Sequence, residues 1–150
     1  MSMRKFAGNR LRYGLGALAL AAFLATVPAA LAETINYNVA LKAGNEVPPN
    51  ASTATGTLTA TYDTATKKLD YTANYTGLTG PATMAHFHGP AEPGKNAPVV
   101  VPVVGSVASP IKGSATLTDA QAADLMAGKW YFNVHTAANK GGEIRGQVTK

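Results

Sequence analysis

Alternation of apolar and polar residues with a period of two dominates the chain beyond position 33. Between residues 34 and 41 every second residue is apolar, and Asn36 and Asn38 occupy intervening positions. Because successive side chains of a strand point to opposite faces, this spacing predicts a half-buried strand. Turn-forming residues separate similar segments further along. The pattern predicts strands at 34–41, 56–62, 69–78, 83–88, 99–104, 113–117, 129–136 and 143–149.

A single helix is predicted between the sixth and seventh strands. Thr118 and Gln121 have the spacing of a capping box, the segment after them is rich in alanine, and Gly128 ends it. About eight short strands and one short helix predict an all-β fold, an antiparallel Greek-key β-sandwich of the immunoglobulin or superoxide-dismutase type. The predicted core comprises Ile35, Val39, Tyr71, Leu78, Trp130, Phe132 and Val134.

The first 32 residues have the pattern of a secretory signal peptide. Basic residues between Arg4 and Arg12 precede an apolar run over 15–31, and Ala30-Leu31-Ala32 has the small-x-small pattern of a cleavage site. A retained membrane anchor is the alternative, because the run is nearly long enough to span a bilayer. The cleavage motif, followed at once by a polar strand, favours removal before Glu33. We therefore expect residues 1–32 to be a signal peptide and residues 33–150 to form one domain.

Charge and cysteine content narrow the classes of partner. Four of the 13 basic residues lie in the predicted signal peptide, so nine remain against eight acidic residues. No charge block survives, which disfavours nucleic acid and anionic membrane surfaces as partners. The chain has no cysteine, which excludes disulfides, thiolate metal sites and a cysteine nucleophile. A short signal peptide and no cysteine indicate a bacterial exported protein, which we expect in the periplasm.

Two of the three histidines share one predicted strand. His86 and His88 are two residues apart, so their side chains point to the same face of segment 83–88. Met84 lies on that face as well, because it is two residues before His86. One strand therefore presents two imidazoles and a thioether together.

The third histidine lies near the end of the seventh predicted strand. His135 shares its face with Tyr131 and Asn133, whereas Trp130 and Phe132 point to the opposite face. The apolar face is the predicted core face. His135 is therefore expected on the side of the strand away from the core.

If these two strands are neighbours, the three imidazoles converge. Neutral imidazole binds copper, zinc, nickel and iron, and a thioether favours Cu(I). The sequence therefore predicts a metal site made of His86, His88 and His135, with Met84 as a soft fourth ligand. Copper is the expected metal, and zinc or another divalent transition metal is the alternative. Histidines that only hydrogen-bond to loops and brace the fold would explain the pattern without a metal.

Other polar residues do not form a recognisable catalytic set. Glu143 and Arg145 share one strand face, where solvation and cross-strand pairing are the simplest expectation and an ion pair or partner contact is the alternative. The chain has no nucleophile elbow, phosphate loop or dinucleotide fingerprint. No acid and base pair follows from the spacing of its few carboxylates. We therefore expect a binding protein rather than an enzyme.

These segments together resemble the chordin-type (CHRD) domain. The resemblance rests on the His-Phe-His-Gly-Pro-Ala run at 86–91, the valine-rich run at 99–104, Trp-Tyr-Phe-Asn-Val-His-Thr at 130–136 and Gly-Glu-Ile-Arg-Gly-Gln at 142–147. It covers about residues 34–148. The resemblance implies a β-sandwich, offers no established enzymatic activity, and suits an exported stand-alone domain. It leaves the role of the histidines open.

Three functions compete at this point. The first is an exported metal-binding protein, and the second is a structural or protein-interaction module, with a protein partner or a second copy of the chain. The third is a copper enzyme similar to superoxide dismutase. Three histidines are too few for the two-metal site of that enzyme, which disfavours it.

Overall fold

The computed structural model describes residues 32–150, and every predicted strand and the predicted helix form there. The predicted signal peptide, apart from its last residue, lies outside the described residues. Within residues 32–150, no helix is both long and apolar enough to cross a membrane. The elements are β1 (Thr34–Lys42), β2 (Thr55–Asp63), β3 (Lys68–Thr76), β4 (Ala82–His88), β5 (Val99–Pro102), β6 (Ile111–Thr116), α1 (Asp119–Met126), β7 (Trp130–Thr136) and β8 (Ile144–Val148). A short 3-10 helix, Ala43–Asn45, follows β1 and was not predicted.

The eight strands are connected in the order β5-β4-β7-β8-β1-β2-β3-β6. All pairings are antiparallel, and β1 meets β8 through one registered pair, Lys42 with Arg145. The narrow junction divides the strands into two halves, β5-β4-β7-β8 and β1-β2-β3-β6. Strands β1, β2 and β3 pair in succession, and β8 returns by a long connection to lie beside β1, which is Greek-key connectivity. The predicted all-β, antiparallel Greek-key class is therefore confirmed.

Apolar faces of the two halves pack against each other. The ring of Tyr71 in β3 meets that of Phe87 in β4 edge to face, with centroids 5.0 Å apart. Phe132 in β7 lies 4.9 Å from Phe87 by the same measure. Such aromatic pairs contribute about 0.5–1.5 kcal/mol each beyond the area they bury. Six of the seven predicted core residues are buried, and Leu78 is partly buried against them.

Helix α1 begins with the predicted capping box. The Thr118 hydroxyl accepts a hydrogen bond from the Gln121 backbone N–H at 3.2 Å, and Gln121 Oε1 accepts one from the Thr118 N–H at 3.0 Å. These bonds satisfy two of the free donors at the start of the helix. Leu125 is fully buried, so the helix is anchored to the core between β6 and β7.

Strand β7 is buried on both faces. The face of Tyr131, Asn133 and His135 points away from the core, as predicted, but it is covered by loops. Tyr131 Oη accepts a hydrogen bond from the Ala97 N–H at 3.2 Å, and His135 Nδ1 donates to the Lys140 carbonyl at 2.9 Å. The loops on either side of the strand thus enclose the face that carries a predicted metal ligand.

The expectation of a solvated face for Glu143 and Arg145 is wrong. Glu143 is fully buried and Arg145 is 2% exposed, because loop residues supply polar partners for both charges. Arg145 donates to the Lys95 carbonyl at 2.6 Å. The Glu143 carboxylate accepts hydrogen bonds from the side chains of Ser52, Thr79, Thr136 and Asn139.

Candidate metal centre

Pairing of β4 with β7 brings the three histidines together. The register places the Cα atom of His86 opposite Asn133, and that of Met84 opposite His135. One nitrogen from each imidazole lies within 4.8 Å of the other two, which is close enough for one ion. The sequence predicted this convergence only if the two strands were neighbours. They are, and the cluster lies on the loop-covered outer face of the sheet.

Three imidazole nitrogens and one amide oxygen lie close together in this cluster. His86 Nδ1 lies 3.2 Å from His135 Nε2. Asn133 Oδ1 lies 2.9 Å from His135 Nε2 and 3.1 Å from His88 Nε2. His88 and His135 are 9% and 6% exposed, and His86 is partly exposed. The cluster is a small polar site, closed on the β7 side and open beside His86.

Backbone carbonyls fix the tautomers of two imidazoles. His88 Nδ1 lies 2.9 Å from the Ala97 carbonyl oxygen, and His135 Nδ1 lies 2.9 Å from that of Lys140. A carbonyl only accepts, so each Nδ1 must carry the proton. In a neutral ring the Nε2 atom then holds a lone pair. Metal-bound histidines are oriented in this way by their second nitrogen.

The surroundings keep these imidazoles neutral. Burial is the main cause that lowers the pKa of His86, His88 and His135 below the ordinary histidine value. The positive charge that a second imidazole would carry lowers the pKa of His86 further. Neutral imidazole is the form that binds metal ions, so the electrostatics of the site match ligation.

Met84 is at the rim of the cluster. It is 46% exposed, next to the partly exposed His86 and across the ladder from His135. A thioether there flanks the open side of the site rather than its buried centre. The predicted role of Met84 as a fourth ligand remains a prediction.

Sequence reasoning did not include several polar residues beside the cluster. Asn133 bridges two imidazoles, and the Tyr131 ring stacks on His88 with planes 3° apart. The alternation placed both residues on the face of His135 but did not assign them to the site. Glu46 is far away in sequence, and no local pattern connects it with the histidines.

Glu46 is a buried carboxyl group behind Asn133. It is 5% exposed, and its Oε1 atom has no hydrogen-bond partner among the described residues. Burial raises the pKa of Glu46 to about 7, although the Arg145 guanidinium and the Asn133 amide act to lower it. A group with this pKa is partly ionised near neutral pH.

A Greek-key β-sandwich with three imidazoles gathered on one outer face defines a domain with a candidate metal site. The chain belongs to the CHRD domain family, whose family model matches residues 37–148. The match includes all three histidines and all eight strands, apart from the first three residues of β1. Neither the curated proteins nor the solved structures include a significant match to the chain.

Proposed function

We propose that this protein is an exported, non-catalytic metal-binding protein that holds one copper ion between His86, His88 and His135. The supporting observation is that the lone pairs of His88 Nε2 and His135 Nε2 point at Asn133 Oδ1 with no proton between them. Two Nε2 atoms and one amide oxygen lie 2.9 and 3.1 Å apart, while both ring protons point away to carbonyls. Acceptor atoms this close repel one another, and a bound cation that all of them coordinate would remove that repulsion.

The donor set favours a transition metal. Imidazole nitrogen is a good ligand for copper, zinc and nickel, whereas magnesium and calcium take oxygen ligands. Met84 beside the open side adds a soft donor, which distinguishes copper from zinc because Cu(I) prefers thioether sulfur. Copper is therefore the proposed physiological metal.

Metal content and competition test this proposal. Tag-free mature protein should carry about one equivalent of copper per chain after copper is supplied and excess removed. Met84→Leu should weaken Cu(I) binding. Met126→Leu is the matched control, because Met126 is 44% exposed on α1, away from the histidine strands. Wild-type protein that retains no copper or zinc at micromolar concentration would overturn the proposal.

Export is the second part of the proposal and is tested separately. The charged start, apolar run and Ala30-Leu31-Ala32 motif support cleavage before Glu33 and release into the bacterial periplasm. Intact-mass analysis of periplasmic protein should give a chain that begins at Glu33. A mature chain that retains residues 15–31 would contradict export by cleavage.

A structural or protein-interaction module is the second candidate. The observation in its favour is that His88 and His135 each donate to a loop carbonyl, so both already brace the loops that cover β7. A copper enzyme similar to superoxide dismutase has less support. All three histidines of the chain belong to this one cluster, so no imidazole is left for a second metal.

A further inference from the structure

We propose that Asn133 Oδ1 is a fourth ligand of this site and that Glu46 is the positioning residue that holds the Asn133 amide in the ligating orientation. This inference rests on the proposed metal binding. With three histidines alone, the fourth coordination position would be left to water or to Met84, and Asn133 Oδ1 is a protein oxygen that can occupy it. This arrangement also gives a role to Glu46 Oε1, a buried oxygen that has no hydrogen-bond partner among the described residues.

Distances within the cluster match ligand spacing around a single ion. Ligands about 2.0–2.1 Å from a metal lie about 2.9–3.4 Å from their neighbours in square or tetrahedral arrangements. Asn133 Oδ1 lies 2.9 Å from His135 Nε2 and 3.1 Å from His88 Nε2. His86 Nδ1 lies 3.2 Å from His135 Nε2. The amide oxygen is therefore placed as a ligand would be, beside two of the three nitrogens.

Hydrogen bonding alone does not explain the position of the oxygen. Because His88 and His135 donate through Nδ1, their neutral rings present lone pairs to Asn133 Oδ1, which is also an acceptor. A reversed amide would donate to these nitrogens instead. It would then turn Oδ1 toward the Gly141 carbonyl, which lies 3.5 Å from the present Nδ2 atom, and toward Glu46.

Glu46 is the residue that makes the reversed amide unfavourable. Its Oε1 atom and Asn133 Nδ2 lie against the same side of Gly142, where a Cβ atom would overlap both. Gly142 has φ +129°, a conformation that L side chains rarely adopt, so a glycine permits this close approach. The carboxyl group therefore attracts the NH₂ end of Asn133 and leaves Oδ1 facing the imidazoles.

The charge of Glu46 also suits a bound divalent ion. Three neutral imidazoles and one neutral amide leave the double positive charge of the metal uncompensated. The Glu46 carboxylate, which lies beside the Asn133 amide, offsets part of that charge, as carboxylates next to metal ligands do in other metal sites.

Titration of the folded mature protein with Cu²⁺ and with Zn²⁺ tests the inference. Glu46→Ala should weaken binding about 10–100-fold, and Asn133→Ala should weaken it at least as much, because that change removes a ligand and not only its partner. Glu46→Gln should recover most of the loss, because its amide oxygen can face Asn133 Nδ2 beside Gly142 as the carboxyl oxygen does. Asn38→Ala and Glu92→Ala are matched controls on exposed positions and should bind as the wild type does.

Each outcome separates the inference from the proposed function. If histidine variants lose binding while Asn133→Ala and Glu46→Ala keep wild-type affinity, the inference fails and the metal site stands. If the wild type binds neither ion, both fail. If a variant does not fold, side-chain amide NMR of the wild type decides instead. Zn²⁺ should shift the Asn133 Nδ2 resonances into a slow-exchange bound set, and unmoved resonances would overturn the inference.

Discussion

The imidazole of His88 lies flat on the ring of Tyr131, with ring centroids 4.7 Å apart and planes 3° apart. The Arg145 guanidinium carbon lies 3.3 Å from the centre of the same tyrosine ring. Tyr131 Oη contacts both the N–H and the carbonyl of Ala97, the residue whose carbonyl also orients His88. One aromatic side chain therefore fixes both the plane and the loop partner of a proposed ligand.

Replacing Tyr131 should separate these two effects. Tyr131→Leu removes the flat surface under His88, so we expect Cu²⁺ affinity to fall about tenfold, at the low end of outer-sphere effects. Tyr131→Phe keeps the ring and loses only the bonds to Ala97, so its affinity should stay within a few-fold of wild type. Isothermal titration of both variants is the measurement. A larger loss in the phenylalanine variant would contradict the stacking argument.

The domain should fold without metal. Its core of Tyr71, Phe87, Trp130 and Phe132 is closed by apolar packing and does not involve the histidine face. Chelator-treated protein should therefore keep its β-sheet circular dichroism. Metal should then stabilise the folded state by mass action, by about 2.7 kcal/mol at a free-ion concentration 100 times Kd. A random-coil spectrum after chelation would contradict this prediction.

The strands and the helix could be predicted because each pattern involves residues that are close together in the sequence. The capping box of Thr118 and Gln121 lies within one turn, and the alternation around Trp130 and Phe132 lies within one strand. The capping box marks the start of a helix, and the alternation describes which face of a strand a residue occupies. Neither depends on which strand lies alongside.

Covering loops and long-range partners could not be predicted in this way. Arg145 and Glu143 lie on a strand face whose polar residues indicate exposure to solvent. Loops from distant parts of the sequence bury both side chains. Glu46 directly follows the 3-10 helix Ala43–Asn45, whose Asn45 side chain donates to the Arg145 carbonyl at the start of β8, 100 residues away in the sequence. Three histidines on two strands predicted the cluster, but their convergence required the pairing of β4 with β7.

Acid should destabilise the protein through Glu143. Burial alone would raise its pKa, but hydrogen bonds from Ser52, Thr136 and Thr79 outweigh it and lower the pKa to about 2. A carboxyl group with a lowered folded-state pKa stabilises above its unfolded value and loses that contribution as pH falls. Between about pH 5 and pH 2 the wild type should therefore lose on the order of 3 kcal/mol from this residue.

Glu143→Gln isolates that contribution. The variant should be less stable than wild type at pH 7, and the difference should shrink toward pH 2, because its amide does not ionise. Urea unfolding at pH 7, 5, 4 and 3 measures both effects. Glu92→Gln, on an exposed loop position, should change neither. A stability difference that is constant with pH would show that the ionised carboxylate is not the cause.

Metal binding should resist mild acid. Burial lowers the pKa of His86, His88 and His135, so their neutral forms persist below the ordinary histidine value of about 6.5. Competition between protons and metal should therefore leave affinity nearly constant from about pH 8 to pH 6.5 and weaken it below that range. Chelator-competition titrations across this range provide the test. Steep weakening already between pH 8 and pH 7 would contradict neutral imidazole ligands.

Copper titration of tag-free mature protein and its histidine variants tests the metal site most directly. His86→Ala, His88→Ala and His135→Ala should each weaken Cu²⁺ binding about hundredfold or more, because loss of a ligand exceeds the loss of an outer-sphere partner. Asn38→Ala, on the exposed face of β1, should bind with wild-type affinity and one-to-one stoichiometry. If all three histidine variants bind copper as tightly as the wild type, the histidines are structural and the metal site is wrong.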